Sequence, residues 1–283
     1  MIDSATTFLI VGLGLIGGSY AKGLKARHYT VYAIDQQEET ISYALNHGII
    51  DSGAATADAQ LIAKADVIIM ALYPKATIQW LQEHQVHIKP NAYITDVCGV
   101  KESVISSIQT FLRPDLEFIA AHPMAGREVS GITHINEKMF LPANFIITPT
   151  ASNSKEAVEL AEDIANVLRF ERISTLSPAD HDAMIGFLSQ LTHVIAVCLM
   201  NTHESDHLVD YTGDSFRDLT RIAKINEHLW SELFFMNKKV LLQEMRAFMD
   251  EMEHFYTILE QDEAEQMKEL FRQSTARRKK FDR

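Results

Sequence analysis

The chain has 283 residues, 47% hydrophobic and 23% charged, which fits one large or two ordinary globular domains and excludes a disordered chain. Its 26 basic and 38 acidic side chains leave a formal net charge of −12, so a nucleic-acid partner is not expected. Only two cysteines, Cys98 and Cys198, are present and no apolar run approaches the roughly 18–20 residues of a membrane helix, so the expectation is a cytoplasmic protein with no disulfide framework and no membrane partner.

From the N-terminus, strands alternate with helices. Residues 7–11 form a short apolar run that stops at glycine, and a helix is predicted over 18–27. A second strand over 29–34 ends at Asp35, followed by a helix over 39–47. A third strand, 65–72, is stopped by Tyr73 and Pro74. Further strands are predicted at 93–97, 117–121, 144–148 and 172–174, with a helix over 155–168. Continuous apolar runs at this spacing predict an α/β, doubly wound, mainly parallel sheet covered on both faces.

All seven prolines, and all but two of the twelve glycines, lie at or before Pro178. The remainder is helical in pattern, and a division into residues 1–174 and 175–283 is expected. In 179–202, His181, Met184, Phe187, Leu188, Leu191 and Val194 repeat at three and four on one wide face. Residues 228–259 read as one very long helix, too long to be buried by the helical region alone, so a partner subunit is expected to cover part of it. The basic tail Arg277 to Lys280 reads as a solvated end.

Gly12, Gly14 and Gly17 form a GxGxxG pattern between a predicted strand and a predicted helix, with Asp35 18 residues beyond. That context turns a weak motif into a dinucleotide site. Gly12 allows the tight turn, Gly14 lets the backbone approach a pyrophosphate, and Gly17 lets the helix pack on the strand. The helix start at Leu15 and Ile16 offers N–H groups to phosphate. Asp35 suits a ribose diol and would repel a 2′-phosphate; Gln36, Gln37, Glu38 and Glu39 bring no cation. NAD is therefore expected rather than NADP. His122 follows the strand 117–121, on the ligand side of such a sheet.

These elements, together with TDVCGVK (95–101), HPMAGRE (122–128), SPADHD (177–182), SQLTH (189–193) and FRDLTRIA (216–223), resemble the prephenate dehydrogenase family over nearly the whole chain. The resemblance implies a Rossmann domain followed by an all-α dimerisation domain, arranged as in 6-phosphogluconate dehydrogenase. It implies a homodimer that oxidatively decarboxylates prephenate with NAD. His122 is then the catalytic residue. Ser189, His193 and Arg221 meet the substrate, with Glu128 and Asp218 beside Arg221. Tyr73, Cys98 and Gly99 join the glycine loop, Leu15, Ile16 and Asp35 around the cofactor, and no metal is implied.

Two departures stand out. Gly99 occupies the place where many relatives carry a serine able to hydrogen-bond the catalytic histidine, so His122 needs another partner or water. Gln190 and Thr192 replace a histidine and a proline in the 189–193 run, which bears on prephenate against arogenate. Three other readings compete. One is an arogenate dehydrogenase and one is a non-catalytic NAD-binding sensor dimer. The third is a zinc site at the formal HExxH of His203 to His207. After the helical region the chain shows no regulatory module, so a monofunctional enzyme is expected.

Overall fold

The computed structural model describes residues 2–126 and 129–282. The chain runs through β1 (Thr7–Val11), α1 (Leu15–Lys25), β2 (Thr30–Ile34), α2 (Glu38–Asn46), β3 (Ser52–Ala54), α3 (Ala59–Ile62), β4 (Val67–Met70), α4 (Pro74–His84), β5 (Tyr93–Asp96), α5 (Glu102–Gln109), β6 (Glu117–Pro123), β7 (Asn144–Thr148), α6 (Lys155–Leu168) and β8 (Arg172–Thr175). The helical part follows as α7 (Pro178–Ile185), a π-helical turn (Gly186–Leu191), α8 (Thr192–Thr202), α9 (Asp214–Thr220), a 3-10 turn (Arg221–Ala223), α10 (Glu227–Met236), α11 (Lys238–Glu260) and α12 (Ala264–Arg278). Two compact units result, one ending at Asn237 and one over 238–283.

Within the first unit the described strands form one sheet in the order β3-β2-β1-β4-β5-β6-β7-β8. Every pairing is parallel except β6 with β7. Side chains alternate between two cores. Phe8 and Ile10 of β1 pack with Tyr20 and Leu24 of α1 and with Leu160 and Ile164 of α6. Leu9 and Val11 pack on the opposite face with Leu81 of α4, Val104 of α5 and Leu233 of α10. Burial on both faces explains why these strands are uniformly apolar. The sequence missed β3, whose Ser-Gly-Ala is too short and too polar to register as a run.

Two sequence expectations for the helical part are corrected. The helix predicted over 228–259 is broken at Asn237, which leaves helical geometry and sends its buried side-chain amide to the carbonyl of Asp182 and to Gln190 Oε1, both at 2.9 Å. The wide apolar face predicted over 179–202 is divided. Ile185, Leu191 and Ala196 are buried, whereas Met184, Phe187 and Leu188 stand 47%, 54% and 48% exposed. The π-helical turn between α7 and α8 shifts the helical phase at this point.

The expectation that no stretch reaches membrane length is also revised: Pro178–Thr202 forms one helical run of 25 residues, apolar enough by composition to cross a bilayer. Within it His181, Asp182 and Gln190 are buried and hydrogen-bonded to protein groups from other elements, partners that a bilayer does not offer.

A fully buried ion pair locks the end of β5. Lys101 Nζ lies 2.7 Å from Asp96 Oδ2, and both side chains are 0% exposed. Asp96 also accepts the N–H of Cys98 at Oδ2 and of Ala121 at Oδ1. Removing one member of such a pair strands a charge in a poorly polarisable interior. Lys101→Met is expected to lower unfolding free energy by about 3–5 kcal/mol, read as a shifted urea midpoint.

Candidate active site

The glycine loop joins β1 to α1. Gly12 has φ of +95°, and a Cβ there would lie 2.6 Å from the Ala71 carbonyl oxygen. A Cβ on Gly17 would come within 1.9 Å of the Gly12 carbonyl oxygen, so only glycine lets α1 start this close to the loop. At Gly14 nothing lies within 4 Å of where a Cβ would project. That open cradle, at the start of α1 before Leu15 and Ile16, suits a diphosphate bound by backbone N–H groups. Asp35 is part-buried at the end of β2, with Oδ2 accepting the Leu13 N–H at 2.7 Å and Oδ1 the Gln37 N–H at 2.9 Å. Each oxygen retains a lone pair for a ribose hydroxyl. The residues present therefore fit a dinucleotide.

Across the sheet, β6 carries His122 opposite Ile146 of β7. Its ring is part-buried, with Nδ1 2.9 Å from Nε2 of His181. His181, fully buried on α7, places Nδ1 2.7 Å from Asp182 Oδ1. Asp182 in turn accepts the backbone N–H groups of Lys101 and Glu102, at 2.8 and 2.9 Å, where α5 begins. A carboxylate at a helix N-terminus also meets the positive end of the helix dipole. Burial, the adjacent His181 and the Lys101 ammonium hold His122 well below the ordinary histidine value of 6.5. Burial also lowers His181, against the opposing pull of Asp182. Both shifts favour the neutral ring near pH 7. The sequence placed His181 on an apolar helix face and gave it no role; the HD pair following Ser177-Pro178 was the available signal.

Gly99 lies beside this ring: a Cβ there would be 3.8 Å from His122 Nε2 and 3.5 Å from Leu233 of α10. Cys98 is buried, with its thiol 3.8 Å from Thr77 Oγ1 and from the Leu72 carbonyl, and burial next to Asp96 raises its pKa strongly. It faces the protein interior. Tyr73 precedes α4 and is 39% exposed; its hydroxyl accepts the Asn226 side-chain N–H at 2.8 Å.

Ser189 and His193 lie on the π-helical turn and the start of α8. His193 Nδ1 is 2.8 Å from the Ser189 carbonyl, and its ring stacks on Trp230 at 3.7 Å between centroids. Gln190 is fully buried and donates to the Leu233 carbonyl at 3.1 Å while accepting from Asn237. It is a scaffold residue. Thr192 donates to the Ser189 carbonyl at 2.6 Å. Arg221 opens the 3-10 turn after α9, which packs against α8. Glu128, expected near Arg221, lies outside the described residues. The formal HExxH does not form a helical ligand pair, because α8 ends at Thr202 and His203 is extended.

Comparison with known proteins places these residues in context. The family model described as the prephenate dehydrogenase nucleotide-binding domain matches residues 20–170, and the one described as the prephenate dehydrogenase dimerization domain matches 177–273. A prephenate dehydrogenase of Bacillus subtilis is 31% identical over 274 residues, covering 94% of this chain and 73% of that one. A cyclohexadienyl dehydrogenase of Zymomonas mobilis is 28% identical, covering 94% and 92%. Among solved structures, a prephenate dehydrogenase from A. aeolicus in complex with hydroxyphenyl propionate and NAD+ superposes with a TM-score of 0.89 at 26% identity, covering 99% of this chain and all of that one.

The neutral histidine pair carries a stability consequence. A histidine whose folded pKa is depressed binds fewer protons folded than unfolded below 6.5, so stability falls on acidification through that range. The urea midpoint is expected to drop between pH 7 and 5.5, and to drop less in His122→Asn.

Proposed function

The chain belongs to the prephenate dehydrogenase family, and from that premise we propose that it converts prephenate to 4-hydroxyphenylpyruvate and carbon dioxide in tyrosine biosynthesis, with His122 as its catalytic base. It is an oxidoreductase and NAD is its cofactor. The observation that carries the proposed role of His122 is its place at the end of β6 on the ligand side of the sheet, with Nδ1 against His181 and Nε2 on the edge facing Gly99. We assign cofactor binding to residues up to 174 and substrate binding and dimerisation to residues from 175.

Prephenate carries a hydroxyl on ring carbon 4 and a carboxylate on ring carbon 1. NAD, when bound, accepts the hydrogen of C4 together with its electron pair. As C4 takes on carbonyl character, the hydroxyl proton moves toward Nε2 of His122. The C1–carboxylate bond then breaks, its electron pair enters the ring, and carbon dioxide leaves. The proton returns to the oxygen as the ring becomes a phenol, so none is released overall. His122 works by accepting charge at that oxygen in the transition state, worth roughly 10²–10⁴-fold.

The glycine loop and the N–H groups of Leu15 and Ile16 would hold the diphosphate, and Asp35 would hold the adenosine ribose. Tyr73, Cys98 and Gly99 would border the nicotinamide half, Cys98 through its backbone. Arg221 pairs with one substrate carboxylate in a two-bond fork, which a guanidinium matches in shape. Ser189 and His193 meet the other polar end. Gln190, one of the two substitutions that bore on specificity, is engaged in the scaffold and is not free to read the substrate's side chain. A non-catalytic NAD sensor would have no use for a neutral histidine set this way.

The working form is a homodimer. Phe235 of α10 is 72% exposed, and Leu242, Met252 and Tyr256 of α11 are 53%, 56% and 62% exposed, large apolar side chains of the kind an interface covers. A second copy covers it. The acidic surface and the free cysteines suit a cytoplasmic enzyme with no nucleic-acid or membrane partner. Sedimentation at micromolar concentration is expected to give a dimer; a stable monomer would refute this assignment.

The activity is tested by NADH absorbance with prephenate and arogenate side by side. Prephenate is expected to be turned over faster. His122→Asn should lower kcat by about 10²-fold or more, with KM for NAD unchanged. Arg221→Gln should raise KM for prephenate by at least about 20-fold and leave KM for NAD within a few-fold. Equal turnover of both substrates would sink the preference, and near-parental kcat in His122→Asn would remove it from the chemistry.

A further inference from the structure

His122 faces an orientation problem. At Gly99 there is no side chain to hold the ring, yet a base must present an unprotonated nitrogen to the substrate hydroxyl. An isolated neutral imidazole exchanges its proton between Nδ1 and Nε2, so part of the population carries it on the wrong atom.

Resting on the reading of His122 as base, we infer that His181 and Asp182 are positioning residues that lock His122 in the tautomer with its proton on Nδ1 and its lone pair on Nε2. The hydrogen bonds allow one direction. Asp182 accepts the N–H groups of Lys101 and Glu102 with its two oxygens, and a carboxylate donates nothing. The 2.7 Å contact therefore puts the proton of His181 on Nδ1. In a neutral His181 ring, Nε2 then has only a lone pair. The 2.9 Å contact requires His122 Nδ1 to supply the proton. Nε2 of His122 is left bare, on the edge that faces Gly99.

The chain of bonds also acts during the reaction. When Nε2 takes the substrate hydroxyl proton, His122 becomes an imidazolium and keeps its Nδ1 proton, now a stronger donor to His181 Nε2. The Asp182 charge stabilises that cation through the intervening ring. When the proton returns to the phenol oxygen, the resting arrangement is restored. The support is rigid on the far side as well, because Asn237 binds the Asp182 carbonyl and Gln190.

The test begins on the parent enzyme with ¹⁵N-labelled histidine at pH 7.5, the His122 signals being assigned by their loss in His122→Asn. The expected result is a protonated Nδ1 and a bare Nε2. A proton on Nε2 would overturn the inference whatever the kinetics show. Two variants then separate positioning from packing. In His181→Gln the amide oxygen can stand where Nε2 stood and still accept from His122; His181→Leu fills the space without an acceptor. His181→Leu is expected to lower kcat by about 10²-fold with both KM values within about three-fold, and to average the two His122 tautomers. His181→Gln is expected to keep kcat within about ten-fold. Equal losses in both, or an unchanged tautomer in His181→Leu, would refute the positioning role. If the tautomer is as stated but His122→Asn retains full kcat, the locked ring stands and the reading of His122 as base fails.

Discussion

The carboxylate of Asp182 is the contact on which the site depends. It receives two backbone N–H groups at the start of α5 and one imidazole N–H from its own helix. The first two bonds fasten the helical region to the sheet, and the third directs His181 at His122. A carboxylate buried to 2% exposure is costly unless its lone pairs are filled, and here the filling groups come from different elements. Placement of α7 and orientation of the His122 ring are thus one problem with one solution. The same loop holds the Asp96–Lys101 pair, so the segment between β5 and α5 is tied from the sheet side and from the helical side.

The parts of this architecture legible in the sequence are those whose causes are local. The turn after β1 needs glycine at positions 12 and 17 because of atoms within the same β-α-β unit, and the pattern announces itself. Strands buried on both faces leave continuous apolar runs, and Ser177-Pro178 marks a helix start through a serine cap and a proline in the first turn. The strand end pointed to His122, and the family resemblance added Ser189, His193 and Arg221 as candidates.

What remained hidden depends on distant partners. Asn237 sits in a segment that reads as uninterrupted helix, and its reason for breaking that helix lies 47 and 55 residues away, at Gln190 and Asp182. His181 falls at an apolar position of the helical period, where a histidine is usually a core residue; only the approach of β6 from 59 residues away makes it a partner of His122. Gln190 looked like an altered ligand because the family resemblance assigns neighbouring positions in the same run to the substrate. The π-helical turn that rotates it inward leaves no mark in composition.

Gly99 has a consequence for how this site can vary. The space around it is not tight, since a Cβ there would sit in ordinary van der Waals contact with Leu233 and His122. Bulk therefore does not exclude a serine. If the ring is held from the helical side through His181, as proposed, position 99 needs no steering duty, and two supports for one imidazole are one more than orientation demands. Such redundancy frees a residue to drift: a lineage that keeps the histidine–aspartate pair can lose the loop hydroxyl without losing the geometry. Loss of His181, in a chain that already carries glycine at 99, leaves the His122 ring without a second hydrogen-bonded support among the described residues.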